Sequence, residues 1–295
     1  MPANKWKYLS LPKAVRNRFT YDDYLRYRMQ ELSPEAIEEF LTKEELERIE
    51  KVLNDDASRD LFNHKRLFYE HFSSWIHREI LALEKDRENE FEAFVRKHRN
   101  VILKPEDGYA GIGIYSVECC PSFEELCERN YLAEEKVDQA ECYSLIHPFS
   151  LNTIRVTTLI GDNGEPGVLF AVNQFGSHGS IADNTDRDGI WAVIDDATGI
   201  VTAVEINPDN GYVNEIHPDT KQPILGFQNP TYPAVRELAL ELAKVVPTCR
   251  LVGWDIAVRS DGSPELIEGN VTPELDLYQE ITGKGLKSEL GKYLQ

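Results

Sequence analysis

The stretch from Leu251 to Asn270 constrains the fold more than any other part of the sequence. Two apolar runs are joined there by Asp261-Gly262, a strong signal for a tight β-hairpin because both residues of the favoured turn adopt φ > 0. If these two residues form the loop, Asp255 lies directly opposite Glu268. Asn270 points to the same face, because side chains alternate along a strand. The sequence therefore predicts a hairpin with two acids and an amide on one face.

The opposite face of this hairpin is predicted to join the core, since it carries the apolar side chains of Val252, Trp254, Ile256, Val258 and Ile267. The register has an alternative. Pro264 beside the turn could lengthen the loop by one residue, which would put the two acids on opposite faces.

Two carboxylates directly opposite each other, with Cβ atoms roughly 4.5–5.5 Å apart, repel and destabilise a sheet. A cation between them removes this repulsion, and the oxygens of Asp, Glu and Asn suit Mg²⁺ held beside phosphates. The alternative is an exposed face on which water screens both acids. If the acids hold a metal, Asp255→Asn and Glu268→Gln should each abolish turnover and leave the metal-free fold intact or more stable.

A second informative stretch is rich in glycine. A predicted strand that ends at Lys104 is followed by Gly108, Gly111 and Gly113, and then by another predicted strand. Backbone N–H groups of such a turn can point at phosphate oxygens, since glycine has no Cβ to hold them away. The pattern is neither a P-loop nor a dinucleotide fingerprint, and the chain lacks the catalytic motifs of protein kinases. An ordinary glycine-rich turn beside a surface lysine is the alternative.

Composition limits the functional classes. The chain has 295 residues, 41% hydrophobic and 28% charged, which fits a globular enzyme of one large or two smaller domains. Its net charge of −19 disfavours nucleic acid as a partner, and no apolar run approaches the ~18 residues of a transmembrane segment. Five cysteines without a CxxC pair favour a reducing, cytoplasmic location. Residues 1–28 hold seven Lys or Arg and two Asp; they could weakly contact an anionic surface, or form a solvated or crossing helix.

The order of the predicted elements indicates an α+β protein. Residues 20–98 predict helices, with capping sequences at Thr20, Ser33 and Thr42 and one helix from about Leu61 to Ile80. After about residue 100, short alternating strands joined by turns predict a largely antiparallel sheet.

In their order along the chain, these motifs resemble the ATP-grasp superfamily, and within it the sugar-transfer-associated ATP-grasp family. The resemblance covers about residues 60–280 and rests on seven stretches: Asn63-His-Lys65, Val101–Lys104 with the glycines that follow, Leu132–Val137, Asn152–Arg155, Ala182-Asp-Asn184, Gly253-Trp-Asp255 and Ile267–Asn270. It implies an ATP-grasp fold, in which two α+β subdomains with mainly antiparallel sheets grip ATP. Residues 1–60 would form a helical N-terminal segment, residues 61–137 the first subdomain with the glycine flap, and residues 138–295 the second subdomain with the Mg²⁺ and phosphate site.

The resemblance also implies how ATP is bound. The triphosphate would be contacted by Lys65 and Lys104 and covered by Gly108, Gly111 and Gly113. The adenine edge would meet the backbone of the hinge, formed by Glu135, Lys136 and Val137. The ribose would be bound by Asp138 or Glu141, between which the sequence does not choose.

The family further implies a metal site and two catalytic residues. Asp255 and Glu268 would bind the nucleotide through one or two Mg²⁺ ions, with Asn270 as a further metal ligand. Arg155 and Lys104 would face the transferred phosphoryl group. Two alternatives stay open, because Arg155 could be a strand-surface arginine in a salt bridge and Lys65 a solvated helical lysine.

Two positions depart from the family pattern. Paired glycines common in the family are Asp188-Gly189 here, and an arginine found in many members is replaced by Asn173-Gln174. Both departures lie where a second substrate would bind, so substrate specificity is expected to differ even if the ATP chemistry is kept.

The implied function is an ATP- and Mg²⁺-dependent carboxylate–amine ligase that forms an acyl phosphate and releases ADP and phosphate. Its small-molecule carboxylate and amine substrates would include an amino acid and a sugar acid or peptide, free or carrier-linked, in cell-surface polysaccharide or natural-product assembly. The alternatives are an ATP-grasp kinase for a small molecule or sugar, and a nucleotide-binding module without catalysis.

Overall fold

Two antiparallel sheets form the framework of the computed structural model, which describes residues 3–98, 100–108, 112–179, 189–205 and 213–294. The strands are β1 (Ile80–Ala82), β2 (Val101–Pro105), β3 (Tyr115–Ser116), β4 (Tyr131–Glu135), β5 (Thr153–Ile160), β6 (Pro166–Phe175), β7 (Ile190–Ile194), β8 (Val201–Val204), β9 (Leu251–Val258) and β10 (Pro264–Asn270). The helices are α1 (Ala3–Ser10), α2 (Lys13–Arg18), α3 (Tyr21–Arg26), α4 (Pro34–Glu38), α5 (Lys43–Leu53), α6 (Asp56–Asn63), α7 (Lys65–His71), α8 (Glu88–Lys97), α9 (Phe123–Glu128), α10 (Glu141–Ile146), α11 (Tyr232–Leu242), α12 (Leu275–Thr282) and α13 (Lys287–Leu290).

The first sheet has the strand order β1-β4-β2-β3 and the second the order β10-β9-β5-β6-β7-β8. One face of the second sheet packs against α6, α7, α10 and α11, and the other face packs against α5, α12 and α13. The outer face of the first sheet is covered by α8 and α9. The predicted α+β class and the antiparallel pairing are therefore confirmed. Within the described ranges, no helix is both long and apolar enough to cross a bilayer.

The N-terminal helices begin where the capping sequences predict. Thr20 and Thr42 each form a complete capping box, and Ser33 accepts a hydrogen bond from the N–H of Ala36. Two of the basic residues in the segment 1–28 form salt bridges within the protein. Arg18 pairs with the side chain of Glu45 in α5, and Arg26 pairs with Asp276 and Glu280 in α12.

The single helix predicted from Leu61 to Ile80 is wrong. The chain forms α6, breaks at His64, forms α7 and a 3₁₀ turn at Ser73–Trp75, and then enters β1. The aromatic residues that suggested one helix do pack together, as Phe62, Phe68 and Phe72 surround Trp254 of the second sheet. The break has a tertiary cause, because the segment must cross from the second sheet to the first and pair Ile80 with Glu134.

Arg78 joins the two sheets at this crossing. Its side chain is 2% exposed and lies between two buried carboxylates. Its Nε donates to Glu134 of the first sheet at 2.9 Å, and its Nη1 donates to Glu265 of the second at 3.2 Å. The same guanidinium donates to the backbone carbonyls of Leu266 and Ile267. A single cation therefore ties β4 to β10.

The hairpin of β9 and β10, here called the acid hairpin, reaches its predicted register through the longer loop that was the alternative expectation and a bulge that was not expected. Its loop has three residues rather than two, because the N–H of Arg259 bonds to the carbonyl of Ser263 and only Gly262 has φ > 0 in the turn. That extra residue shifts the pairing next to the turn by one. A bulge between Leu266 and Glu268 then shifts it back.

Glu268 consequently faces Asp255, as predicted. The bulge lies where Arg78 binds the carbonyls of Leu266 and Ile267. One predicted core position changes with it. Ile267 packs with Val137 and Ala257, whereas Leu266 takes its place in the main core.

Replacing Arg78 with lysine should lower the free energy of unfolding by about 2–3 kcal/mol, because one ammonium cannot serve two carboxylates and two carbonyls. Urea denaturation measures this. The matched control is Arg236→Lys, since Arg236 has one half-exposed partner, Asp196, and should lose less than ~1 kcal/mol. Equal losses in both variants would contradict the joining role of Arg78.

Candidate active site

One face of the second sheet holds a buried arginine between two acids. Arg155 on β5 lies in register with Asp255 on β9. Its Nε and Nη2 donate to the two Asp255 oxygens at 2.7 and 2.8 Å, the fork geometry that a guanidinium prefers. Its Nη1 donates to Glu274 Oε2 at 2.6 Å, and the ring of Trp191 lies 5.2 Å from its central carbon. Burial alone would lower the pKa of Arg155, but Asp255 and Glu274 raise it.

Gly253 provides the space for this arginine. A Cβ at this position would lie 2.9 Å from the Cβ of Pro273 and 3.1 Å from the Cδ of Arg155. Such contacts are too close to form without movement of the neighbouring groups. The glycine of the Gly-Trp-Asp stretch thus allows the arginine to lie flat along the sheet.

These contacts change the interpretation of the acid pair. Asp255 and Glu268 face each other as the hairpin predicts, but the protein supplies its own cation to Asp255. Arg155 is in a salt bridge, which was the alternative expectation for it, although that salt bridge is buried rather than on the surface.

Lys65 connects the acid hairpin to the glycine loop. It is the first residue of α7, with a side chain only 11% exposed. Its ammonium donates to the carbonyl of Gly108 and lies 4.0 Å from Glu268 Oε1. The alternative of a solvated helical lysine is therefore wrong. The third residue of the acid face, Asn270, caps its own turn by accepting hydrogen bonds from the N–H and hydroxyl of Thr272.

Lys104 belongs to a cluster centred on Glu134. Its ammonium lies 3.1 Å from Glu134 Oε2, and the hydroxyl of Tyr69 donates to Oε1 at 2.6 Å. Burial would raise the pKa of Glu134, but the charges of Lys104 and Arg78 lower it to about 2. The carboxylate is therefore ionised at neutral pH and holds the lysine at the end of β2.

The glycine loop and the hinge flank this cluster. Gly113 has φ +77° and its carbonyl accepts a hydrogen bond from Tyr131, whereas Gly111 lies outside the described residues. In the hinge, the N–H groups of Glu135 and Lys136 bond to the carbonyls of Glu79 and Asn100. Val137 is buried beneath the acid hairpin.

The positions that depart from the family pattern are partly described. Asn173 forms a reciprocal amide pair with Asn229 at 2.9 Å, and Gln174 accepts a hydrogen bond from Thr153. Both side chains are buried and serve the sheet. The stretch 182–184 and Asp188 lie outside the described residues.

The acid face fits a Mg²⁺ ion by its donor chemistry. Among the described residues, no three His, Cys, Asp or Glu side chains are grouped to hold a metal by themselves. Mg²⁺ does not need such a group beside phosphates, since one or two carboxylates are sufficient there. Glu268 is 44% exposed, and each Asp255 oxygen keeps a second lone pair beyond its bond to Arg155.

The sequence profile of one family, described as sugar-transfer-associated ATP-grasp, matches residues 124–294, more than half of the chain. The chain belongs to this family. None of the curated proteins matches it.

Solved structures extend the comparison to the fold. The ATP-grasp ligase PsnB, complexed with a minimal precursor, matches with a TM-score of 0.50 and 14% identity over 82% of this chain. An N5-carboxyaminoimidazole ribonucleotide synthetase from Thermotoga maritima matches with a TM-score of 0.44 and 13% identity. The match covers 72% of this chain and 42% of the synthetase chain. D-alanine–D-alanine ligase from Bacillus anthracis matches with a TM-score of 0.44 and 15% identity. The match covers 74% of this chain and 59% of the ligase chain. This chain spans 62% of the length of the PsnB chain. The fold of this protein is the ATP-grasp fold.

Three residues of this candidate site were given no role in the sequence analysis. Arg78 belongs to no motif, and Glu134 lies within the Leu132–Val137 stretch without a role of its own; only the pairing of distant segments shows their contacts. Glu274 adopts φ +56°, which is uncommon for a residue other than glycine. Its position four residues after Asn270 was a signal that it could lie near the acid face.

Asp255→Asn should lower the free energy of unfolding by about 2–4 kcal/mol without metal, because it leaves buried Arg155 with an incomplete partner. Glu268→Gln should change it by less than ~1 kcal/mol, since Glu268 is half-exposed. Urea denaturation without Mg²⁺ compares the two. This expectation replaces the sequence-based one that both changes leave the metal-free fold intact or more stable. A D255N protein as stable as the wild type would show that Arg155 does not depend on Asp255.

Proposed function

We propose that the protein is an ATP- and Mg²⁺-dependent ligase that joins a carboxylate to an amine through an acyl phosphate. The observation that carries the proposal is the grouping of buried Arg155 and Asp255 with half-exposed Glu268 on one sheet face. Lys65 of α7 lies between Glu268 and the carbonyl of Gly108 in the glycine loop. Membership of the ATP-grasp family and the ligases among its structural neighbours support the proposal.

ATP would bind between the two sheets. Lys65 and Lys104 would contact the phosphates, and Gly108, Gly111 and Gly113 would cover them. A carboxylate holds each ammonium near its expected position, since Glu134 bonds to Lys104 and Glu268 lies near Lys65. The phosphates would therefore meet lysines that are already oriented, which reduces the cost of ordering them.

The adenine edge would meet the hinge backbone at Glu135, Lys136 and Val137. The N–H groups of the first two already have partners, so recognition would use the N–H of Val137 together with hinge carbonyls. Asp138 and Glu141 are both exposed just beyond the hinge, and either could bind the ribose.

Asp255, Glu268 and Asn270 would hold Mg²⁺ with the phosphates. When bound, the metal offsets charge on the phosphate oxygens. Asp255 and Glu268 need little rearrangement for this role, whereas Asn270 would have to release the N–H and hydroxyl of Thr272. Glu268 faces outward, and Asp255 can share an oxygen between Arg155 and a metal.

Arg155 would orient the reacting groups. A substrate carboxylate oxygen attacks the γ-phosphorus, a P–O bond forms, and the bond to the leaving ADP oxygen breaks. The amine then attacks the acyl carbon, the bond from that carbon to the phosphate oxygen breaks, and the amine loses a proton. Arg155 and Lys104 would stabilise the negative charge on the transferred group in both steps.

The family description, sugar transfer, supports a sugar acid as one substrate. The proposal adds an amino acid as the amine, and a peptide as the alternative to the sugar acid. Such substrates occur free or attached to a carrier during cell-surface polysaccharide or natural-product assembly. A cytoplasmic location is part of the proposal, supported by the five free thiols.

Incubation with ATP, Mg²⁺ and hydroxylamine across a panel of sugar acids and amino acids should yield ADP and a hydroxamate, because hydroxylamine traps an acyl phosphate. The carboxylate that reacts identifies the first substrate. ADP with a phosphorylated acceptor and no hydroxamate would show a kinase instead. ATP that binds but never reacts would indicate a substrate outside the panel or a silent module, and absence of ATP binding would contradict the proposal.

Arg155→Lys should lower kcat by about 10²-fold or more, since an ammonium cannot reproduce the guanidinium fork. ATP affinity, measured by calorimetry, should change little. Arg250→Lys is the matched control, because Arg250 is an arginine outside the site that pairs with exposed Asp162. Equal loss of activity in both variants would assign the effect to stability rather than to phosphoryl transfer.

A further inference from the structure

Carboxylates engage three donors of Arg155, one on each nitrogen of its guanidinium. A guanidinium carries five N–H bonds. Nε and Nη2 are engaged by Asp255, and Nη1 donates to Glu274. Arg155 as a whole is 6% exposed, and its guanidinium lies over the ring of Trp191. An anionic oxygen that takes the place of a carboxylate on these N–H groups requires one of the two partners to withdraw.

The two partners differ in how readily they can withdraw. Asp255 lies on β9 in register with Arg155, and its side chain is 12% exposed. Glu274 lies between β10 and α12, and its side chain is 42% exposed. Moving Asp255 requires the sheet to move, whereas moving Glu274 requires only a rotation of its side chain into solvent.

The backbone of Glu274 is held in an unfavourable conformation. Its φ and ψ are +56° and +51°, in the left-handed region. A side chain there adopts a conformation that glycine would occupy without cost. Residues of this kind cluster at ligand sites and switches, where other contacts maintain them. In this conformation the side chain of Glu274 makes an ion pair with Arg155.

The charge around Glu274 also opposes the contact. Asp255 and Asp276 are like charges near its carboxylate. A carboxylate and a phosphoryl or acyl-phosphate oxygen are equivalent acceptors for an arginine N–H. Glu274 therefore occupies a donor of Arg155 that a substrate anion could use in its place.

We propose that Glu274 is an internal competitor for the anion site of Arg155, a carboxylate that occupies its Nη1–H until a phosphoryl or carboxylate group displaces it. The inference rests on the proposed function for its biological meaning. The displacement itself is a property of Arg155 and Glu274 and can be tested with inorganic phosphate alone. Competition by Glu274 weakens the binding of small free anions. It therefore favours substrates whose anionic group is accompanied by other groups that also contact the protein.

The test is calorimetric titration of inorganic phosphate into the wild type, E274Q and E274G, with and without saturating Mg·ADP. E274Q removes the negative charge and keeps the side-chain shape, and E274G also relieves the backbone. Both should bind phosphate about three- to tenfold more tightly than the wild type, the range expected when an ion pair no longer competes. The double variant R155Q/E274Q should lose this gain.

K221G is the matched control. Lys221 has φ +63°, is exposed, and its ammonium bonds only locally to the carbonyl of Pro218. This variant relieves a similar backbone strain away from the site, so its affinity for phosphate should equal that of the wild type. A rise in melting temperature in both glycine variants without tighter phosphate binding would show that Glu274 has only a structural role.

The outcomes separate the two proposals. If Mg·ADP binds and phosphate affinity is unchanged in E274Q and E274G, the competitor proposal is overturned and the ligase proposal stands. If E274Q binds phosphate more tightly but no variant binds Mg·ADP, the competitor stands and the nucleotide function fails. If phosphate binds neither the wild type nor E274Q, the inference is also overturned, because the released N–H would then attract no anion.

Discussion

The buried charge of Arg78 is the interaction on which the rest of the structure depends. Its neighbours Glu134 and Glu265 are almost fully buried, and a carboxylate at such a position is costly unless a cation and hydrogen bonds satisfy it. Arg78 meets both needs and also binds the carbonyls at the β10 bulge. The bulge brings Glu268 opposite Asp255. Arg78 therefore supports both the geometry of the acid face in the second sheet and, through Glu134, the position of Lys104 in the first sheet.

How far the sequence predicts this arrangement depends on how local each signal is. Capping at Thr20 and Thr42 and the antiparallel strands follow from neighbouring residues, and these predictions are confirmed. The break of the predicted 61–80 helix depends on Glu265 and Glu134, which lie far along the chain. The hairpin register was right for a partly wrong reason, since a longer turn and a bulge cancel each other. Periodicity shows neither irregularity, because each moves the strand by a single residue.

The acid pair shows a similar limit of reasoning from sequence. Opposed carboxylates indicate that a cation is needed, but they do not say whether a metal or a side chain supplies it. The family resemblance implies that Arg155 faces the transferred phosphoryl group. In the structure its first partner is Asp255. The distinction depends on which strand lies beside β9, and that pairing joins residues 100 positions apart in the chain.

The cluster that joins the two sheets and the cluster on the acid face carry opposite net charges. Around Glu134 and Glu265, the three cations Arg78, Lys104 and Arg259 face two carboxylates. On the acid face, Arg155 and Lys65 face the three carboxylates of Asp255, Glu268 and Glu274. A bare triphosphate would be attracted by the first cluster and repelled by the second, and a bare divalent cation would experience the reverse. A triphosphate that carries its own divalent cation complements both, because its anionic oxygens can turn to the lysines while the metal turns to the acids. This polarity supports a metal–nucleotide complex, rather than either component alone, as the ligand of the proposed site.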